Sequence, residues 1–201
     1  MAQSFFKIEG RQVFAKDWGD YGDILQHGMS MHLPRRDGKI SLERTGPYIP
    51  PITFPSAIIL TSEARELFES SGLSGSSFLP VEKAHIVELH WENWDLDLVW
   101  PPKLPESGEP EDYILAEPHS ASASDALGEL WEVAVPATAK IIRPQPIVRS
   151  YKELTLDLST WNGADLFRGD GYGGILFAER ARNWFSERWG RFVTFDPFPS
   201  T

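Results

Sequence analysis

One segment constrains the fold more than any other, and it covers residues 165–198 (DLFRGDGYGGILFAERARNWFSERWGRFVTFDPF). Apolar residues 174–177 form a short run typical of a buried strand, and residues 192–195 are β-branched and aromatic, as in a second strand. Between the two runs, apolar side chains recur at intervals of three and four residues, which places them on one side of an α-helix: Phe177, Ala181, Trp184, Phe185 and Trp189. The segment therefore predicts a strand–helix–strand unit, with the helix at about residues 178–189.

The same order of features occurs earlier in the chain. An apolar run at residues 58–60 precedes an amphipathic helix at about 62–71, and Gly72 and a strand at 78–81 follow. Aligned without gaps, residues 64–68 share their apolar spacing with residues 181–185, which suggests an internal βαβ duplication with two helices on one sheet. Two unrelated amphipathic helices that follow strands would align equally well. The predicted fold class is α+β, with a mostly antiparallel or mixed β-sheet and these two principal helices.

Other segments carry weaker signals. Alternating patterns predict paired strands at residues 84–91 and 95–100, joined by a turn at 92–94. Further strands are expected at 113–115, 130–135 and 139–142. Residues rich in Gly, Asp, Ser or Pro predict loops at 17–23 and 118–125.

Length and composition limit the class of protein. With 201 residues, 41% hydrophobic and 24% charged, the chain suits a single globular domain over residues 1–201. It has neither an apolar run long enough to span a membrane nor an N-terminal stretch typical of a signal peptide, so we expect a cytoplasmic protein. Cysteine is absent, which excludes disulfides, thiol catalysis and cysteine-bound zinc.

The negative charge is concentrated in one region. The formal net charge is −10, and residues 88–117 carry nine carboxylates against one base, Lys103. Within this region, residues 101–112 are rich in proline and acid and predict an exposed excursion from the domain. The chain shows no basic stripe, so direct nucleic-acid binding is not expected. A surface of this kind suits a basic protein partner.

Three tryptophans, at positions 91, 94 and 100, lie in this acidic region. The alternating pattern places Trp91 and Trp100 on the apolar face of their strands, whereas Trp94 falls in the turn and is harder to bury. Exposed tryptophan among carboxylates is typical of a hot spot for a basic partner. The predicted partner-binding residues are Glu92, Trp94, Asp95, Asp97, Glu106, Glu109, Glu111 and Asp112.

Motifs for catalysis, cofactors and metals are missing or misplaced. Gly169, Gly171 and Gly174 spell G-x-G-x-x-G, but they precede a strand rather than a helix, which argues against a dinucleotide site. His85 and His90 have opposite strand parity and cannot face one metal ion. No nucleophile elbow or H-E-x-x-H motif occurs. We therefore assign no catalytic residue, cofactor or metal, and we expect a protein that is not an enzyme.

Two alternatives remain open at this point. A small hydrolase could have its site near the loop at residues 169–174, with Asp165, Arg168 and Asp170 as its polar groups. An adaptor module could use the acidic region to bind some other basic protein.

The C-terminal segment resembles immunity proteins of bacterial polymorphic toxin systems, such as the double-CxxCG-motif immunity family and related imm-type families. The similarity lies in a D-L-F-R segment at residues 165–168, an apolar strand at 175–177, an E-R-led helix from Glu179 and a final strand at 192–195. It extends loosely to ILTSEARELFESSGLSGSSFLPV, residues 59–81. Both C-x-x-C pairs of that family are missing here, together with any metal they would hold.

This resemblance implies an inhibitor that binds a cognate toxin in the cytoplasm of the producing cell, as in effector–immunity pairs of contact-dependent or type VI secretion systems. It implies no particular toxin activity. Because nucleases carry basic clefts that an acidic segment can occupy as a phosphate mimic, we expect a nuclease effector as the partner.

Overall fold

The computed structural model describes residues 3–30, 33–143 and 153–201. These residues contain five α-helices and twelve strands in antiparallel and mixed sheets, so the predicted α+β class is confirmed. In chain order the elements are β1 (Phe5–Gly10), α1 (Asp20–His27), β2 (Ser41–Gly46), β3 (Ile52–Thr53), β4 (Ile59–Thr61), α2 (Ser62–Glu69), β5 (Ser77–Pro80), β6 (Glu82–Glu88), α3 (Asp112–Leu115), α4 (Ala121–Ala126), β7 (Leu130–Ala134), β8 (Ala137–Ile142), β9 (Thr155–Asp157), β10 (Leu166–Asp170), β11 (Leu176–Ala178), α5 (Glu179–Trp189) and β12 (Val193–Phe198).

Contacts between Cα atoms group the chain into two compact units that alternate along the sequence. Unit 1 comprises Met1–Gly10, Phe68–Ser77 and Ala134–Thr201, and unit 2 comprises Arg11–Leu67 and Phe78–Val133. The single domain over residues 1–201 stays a prediction. None of the helices in the described residues has both the length and the apolar character needed to cross a membrane.

Unit 1 is built on a six-stranded mixed sheet in the order β12-β1-β11-β10-β8-β9. The predicted strand–helix–strand unit at residues 165–198 is confirmed, and α5 buries Ala181, Phe185 and Trp189 as its spacing requires. The last strand, predicted at residues 192–195, continues through Pro197 to Phe198. β12 lies at the edge of the sheet, where a proline without an N–H group breaks no ladder hydrogen bond.

The two strand–helix–strand segments, β4-α2-β5 and β11-α5-β12, have similar connectivity. β11 and β12 enclose β1 in the six-stranded sheet, and β4 and β5 enclose β7 in a four-stranded sheet of order β3-β4-β7-β5. The expectation that both helices would lie on one sheet is therefore wrong, because β4 and β5 belong to the four-stranded sheet whereas β11 and β12 belong to the six-stranded sheet. The internal duplication itself stays a prediction.

Unit 2 also contains a parallel pair, β2 and β6. Every residue of β2 is buried, including Arg44, whose Nε donates to the carbonyl of Thr45 (2.8 Å) and whose Nη2 donates to that of Tyr48 (3.0 Å). Burial lowers the pKa of Arg44 to about 9. A neighbouring cluster includes Trp18 and Trp91, each 1% exposed.

Several local predictions in unit 2 are wrong. Residues 95–100 form no strand, because the carbonyl groups of Leu96 and Leu98 accept hydrogen bonds from Ala15 N and Trp18 Nε1 rather than from a paired strand. Residues 113–115 lie in α3, and part of the expected loop at 118–125 is α4, whose N-terminus is capped by Ser120. The expected loop at 17–23 ends at residue 19, because α1 begins at Asp20.

Candidate functional site

An open cleft in unit 2 contains part of the predicted acidic surface. Its volume is about 690 Å³, and it lies among the end of β6, the loop at residues 103–107 and α3. Leu89, Leu104 and Tyr113 supply apolar lining. The charged groups of its lining are Glu88, Glu106, Asp112, Glu117 and Lys103. Four carboxylates against one ammonium group give the cleft a negative potential that suits cationic side chains.

The proline-rich loop of the cleft is attached to the hydrophobic core by two tyrosines. The hydroxyl of Tyr21 donates to the carbonyl of Gly108 (2.6 Å), and that of Tyr113 donates to the carbonyl of Lys103. Burial, together with the nearby Tyr21, raises the pKa of Tyr113 to about 12, so its hydroxyl remains a donor at neutral pH. The loop is thus held in place rather than projecting freely.

The eight predicted partner-binding residues fall into two groups. Glu106 and Asp112 line the cleft, and Glu109 and Glu111 are their neighbours in sequence. The other four do not line the cleft and occupy the segment that follows β6: Glu92, Trp94, Asp95 and Asp97. The structure therefore brings two of the eight side chains into the wall of one cavity.

A histidine links two carboxylates at the end of β6. His90 Nδ1 lies 3.0 Å from Glu92 Oε1, and His90 Nε2 lies 3.6 Å from Glu88 Oε1. The hydrogen bond to Glu92 is the main cause that raises the pKa of His90, and Glu88 adds to it. Protonation of His90 would reduce the negative charge beside the cleft, since Glu88 is one of its lining residues.

The tryptophans differ from the prediction in two respects, because Trp94 was expected to be exposed and Trp100 to be buried. Trp91 is buried as expected, with its ring centroid 5.5 Å from that of Phe14, and Trp94 is half-buried, 6.1 Å from Tyr113. Trp100 is 63% exposed, so its assignment to the core is wrong. Val99 beside it is 64% exposed. The proline pair at 101–102 was the available signal, because a strand does not continue through it.

The polar groups of the hydrolase hypothesis do not form a catalytic arrangement in unit 1. Asp165 is 7% exposed, and its Oδ2 accepts from Ser74 N (2.9 Å), Ser74 Oγ (3.0 Å) and Arg180 Nη1 (3.1 Å). Arg168 is half-buried and Asp170 is exposed. Gly169 belongs to β10, and the turn at Gly171 leads to β11 rather than to a helix. Asp165 is thus a structural acceptor.

Metal ligands do not converge in the part of the chain that the structure describes, where no three His, Asp or Glu side chains form a group that could hold an ion. Comparison of the chain with protein-family models and with characterised protein sequences finds no match. The function is therefore argued from the acidic cleft and its surroundings.

Proposed function

We propose that the chain is an immunity protein that binds and neutralises a cognate antibacterial toxin through the acidic surface of unit 2. The observation that supports this most strongly is the cleft lined by four carboxylates, whose loop is tied to the core by tyrosine hydroxyls. The chain acts in the cytoplasm of the producing cell, within an effector–immunity pair such as those of type VI secretion, and it performs no catalysis.

The proposed toxin is a nuclease. A nuclease active site carries basic side chains that bind phosphates, and a cluster of carboxylates can occupy that site in place of nucleic acid. The net charge of −10 makes the chain repel nucleic acid, and the same charge steers the chain toward a basic protein. Inhibition then follows from steric occlusion of the cleft of the toxin.

The two alternatives have less support. The hydrolase would need free polar groups near residues 169–174, whereas Asp165 is occupied by Ser74 and Arg180. An adaptor module would use the same acidic surface, and only the identity of the partner separates it from an immunity protein.

The experiment uses the C-terminal domain of the protein encoded by the reading frame beside that of this chain. Production of that domain in a bacterial host should stop growth, and co-production of this chain should restore it. Restored growth together with a stoichiometric complex of the two purified proteins would support the proposal. A toxic domain that this chain neither binds nor neutralises would contradict it.

The role of charge has its own test. The double variant Glu106→Gln/Asp112→Asn should lower the association rate constant several-fold at low salt, and the difference should shrink as salt rises. The matched control is Glu63→Gln/Glu66→Gln, which removes two exposed carboxylates from α2. An association rate that does not respond to salt would rule out charge steering.

A further inference from the structure

The segment beside the predicted carboxylates exposes a short apolar surface. Leu98 is 41% exposed, Val99 is 64% exposed and Trp100 is 63% exposed, so three consecutive large apolar side chains face solvent. Single exposed apolar residues are ordinary, but an adjacent group that includes tryptophan marks an interaction surface more often than chance. We call residues 98–100 the apolar segment.

The backbone on both sides of the apolar segment is held in place. The carbonyl of Leu98 accepts from Trp18 Nε1 (3.0 Å), and that of Leu96 accepts from Ala15 N (3.0 Å). Trp18 is itself 1% exposed and stacks on Phe14 with ring centroids 4.0 Å apart. On the other side, Pro101 is buried and its ring restricts the backbone.

The anchored backbone of the apolar segment favours binding of a partner protein. An exposed loop normally loses conformational entropy when a partner orders it, and that loss weakens the complex. Here the backbone at Leu98 and Pro101 is already ordered, so only the side chains of Val99 and Trp100 remain to be immobilised. Tryptophan is also the residue type most enriched among interface hot spots.

The charges around the apolar segment define the partner. Asp95 and Asp97 directly precede it and are exposed. A second copy of this chain would bring its own Asp95 and Asp97 to the same two-fold interface, where like charges repel. An anionic lipid surface would be repelled in the same way. A protein with an apolar recess bordered by lysine or arginine side chains is complementary both to the apolar segment and to the carboxylates of Asp95 and Asp97.

We propose that Val99 and Trp100 form the apolar anchor of the interface, inserting into a recess on the toxin that is bordered by basic side chains. This inference rests on the proposed function, and it assigns separate roles to two surfaces of unit 2. The carboxylates accelerate association, whereas the apolar anchor slows dissociation once the complex has formed.

The test measures the binding kinetics of the purified toxin domain from the adjacent reading frame. Trp100→Ala should raise the dissociation rate constant about tenfold or more, and the effect should persist at about 0.5 M salt because it does not depend on charge. Trp100→Phe should recover part of the loss. The matched control is Ile142→Ala, which truncates a 48% exposed side chain in unit 1 and should leave the kinetics unchanged.

The outcomes separate the two proposals. If the unaltered chain binds and neutralises the toxin domain while Trp100→Ala dissociates at the same rate, the apolar anchor is refuted and the proposed function stands. If the unaltered chain fails to bind, both are refuted. Sedimentation velocity provides a further check, because a dimer of the unaltered chain that Trp100→Ala abolishes would identify a second copy as the occupant and overturn the inference.

Discussion

The hydroxyl of Tyr21 donates a 2.6 Å hydrogen bond to the carbonyl of Gly108, which lies 87 residues further along the chain. Tyr21 belongs to α1, and Gly108 lies at a positive φ of 82° in the acidic proline-rich loop. The ring of Tyr21 also lies edge-on to that of Tyr113, with centroids 6.3 Å apart. One phenol therefore connects a helix, the acidic loop and the second tyrosine that holds that loop.

Replacing Tyr21 with Phe should loosen this loop. The variant keeps the ring but loses the hydrogen bond, and we expect a fall of about 1 kcal/mol in the free energy of unfolding. Amide hydrogen exchange in residues 103–112 should become faster, which mass spectrometry of protease fragments would detect. Tyr48→Phe, in the same hydrophobic cluster, is the control and should leave exchange in that loop unchanged. Equal exchange in both variants would contradict the role of Tyr21.

Replacing Asp165 with Ala should destabilise the protein. The variant leaves the N–H and hydroxyl groups of Ser74 without their acceptor, and we expect a loss of about 3 kcal/mol. Arg180 loses one acceptor but still donates to the carbonyl groups of Ser71 and Gly72. Most of this loss comes from the partly buried hydrogen bonds to Ser74, since the Arg180 side chain is 60% exposed and water screens its charge. Urea denaturation followed by tryptophan fluorescence measures the change.

The control for this variant is Asp170→Ala, which removes an exposed carboxylate from the same strand, β10. It should change the free energy of unfolding by less than about 0.5 kcal/mol. A stable Asp165→Ala protein would show that the hydrogen bonds of Asp165 contribute little to the fold.

Replacing Gly75 with Ala should be more damaging than an ordinary glycine substitution. Gly75 has φ of +93°, and a Cβ atom there would lie 1.9 Å from the carbonyl oxygen of Leu166. Backbone atoms must shift to relieve that contact, so we expect a loss of at least about 3 kcal/mol. Gly163→Ala is the matched control in the same unit.

Gly163, the position of the control, has a backbone conformation similar to that of Gly75, but the space around it is open. Gly163 has φ of +87°, and nothing lies within 4 Å of its added Cβ atom. Gly163→Ala should cost only the conformational strain, about 1 kcal/mol. Thermal unfolding of both variants measures the difference. Similar melting temperatures would mean that the contact with Leu166 is relieved without cost.

His27 should make the protein less stable in mild acid. Burial and, second, the positive charge of Arg44 lower the pKa of His27 to about 3. The unfolded chain therefore binds a proton at this residue below about pH 6.5, whereas the folded chain does not, so stability is full above that pH and falls as the pH drops toward 3. The slope from this group approaches about 1.4 kcal/mol per pH unit.

Denaturation of the variant His27→Gln between about pH 6 and pH 4.5 tests this, and it should show a flatter dependence on pH than the unaltered chain. His90→Gln is the control, because the pKa of the exposed His90 is raised rather than lowered. It should retain the fall in stability toward acid pH. A His27→Gln protein with an unaltered slope would show that another group titrates there.

The principal elements of the fold were predictable because their signals are local. The intervals between Ala181, Phe185 and Trp189 determine which side of α5 is buried, and the structure buries all three. Similar local patterns predicted the α+β class, strand β6 and the order of strand, helix and strand in the segments β4-α2-β5 and β11-α5-β12. Where a pattern was ambiguous, as at residues 113–115, an apolar triplet suited a helix as well as a strand.

The candidate site was less predictable, because its form depends on contacts between distant parts of the chain. The acidic character of residues 88–117 was visible in the sequence, but the cleft between Glu106 and Glu117 was not. The apolar face assigned to Trp100 required a strand, whereas its neighbour Leu98 is held by Trp18, 80 residues earlier in the chain.

Sequence alone determined the periodic elements and the distribution of charge, since both are properties of neighbouring residues. The tertiary structure decided which tryptophan faces solvent, which carboxylates line a cleft and that Asp165 holds Ser74 instead of a substrate. The physical reason is that burial and hydrogen bonding are settled by partners brought together only when the chain folds.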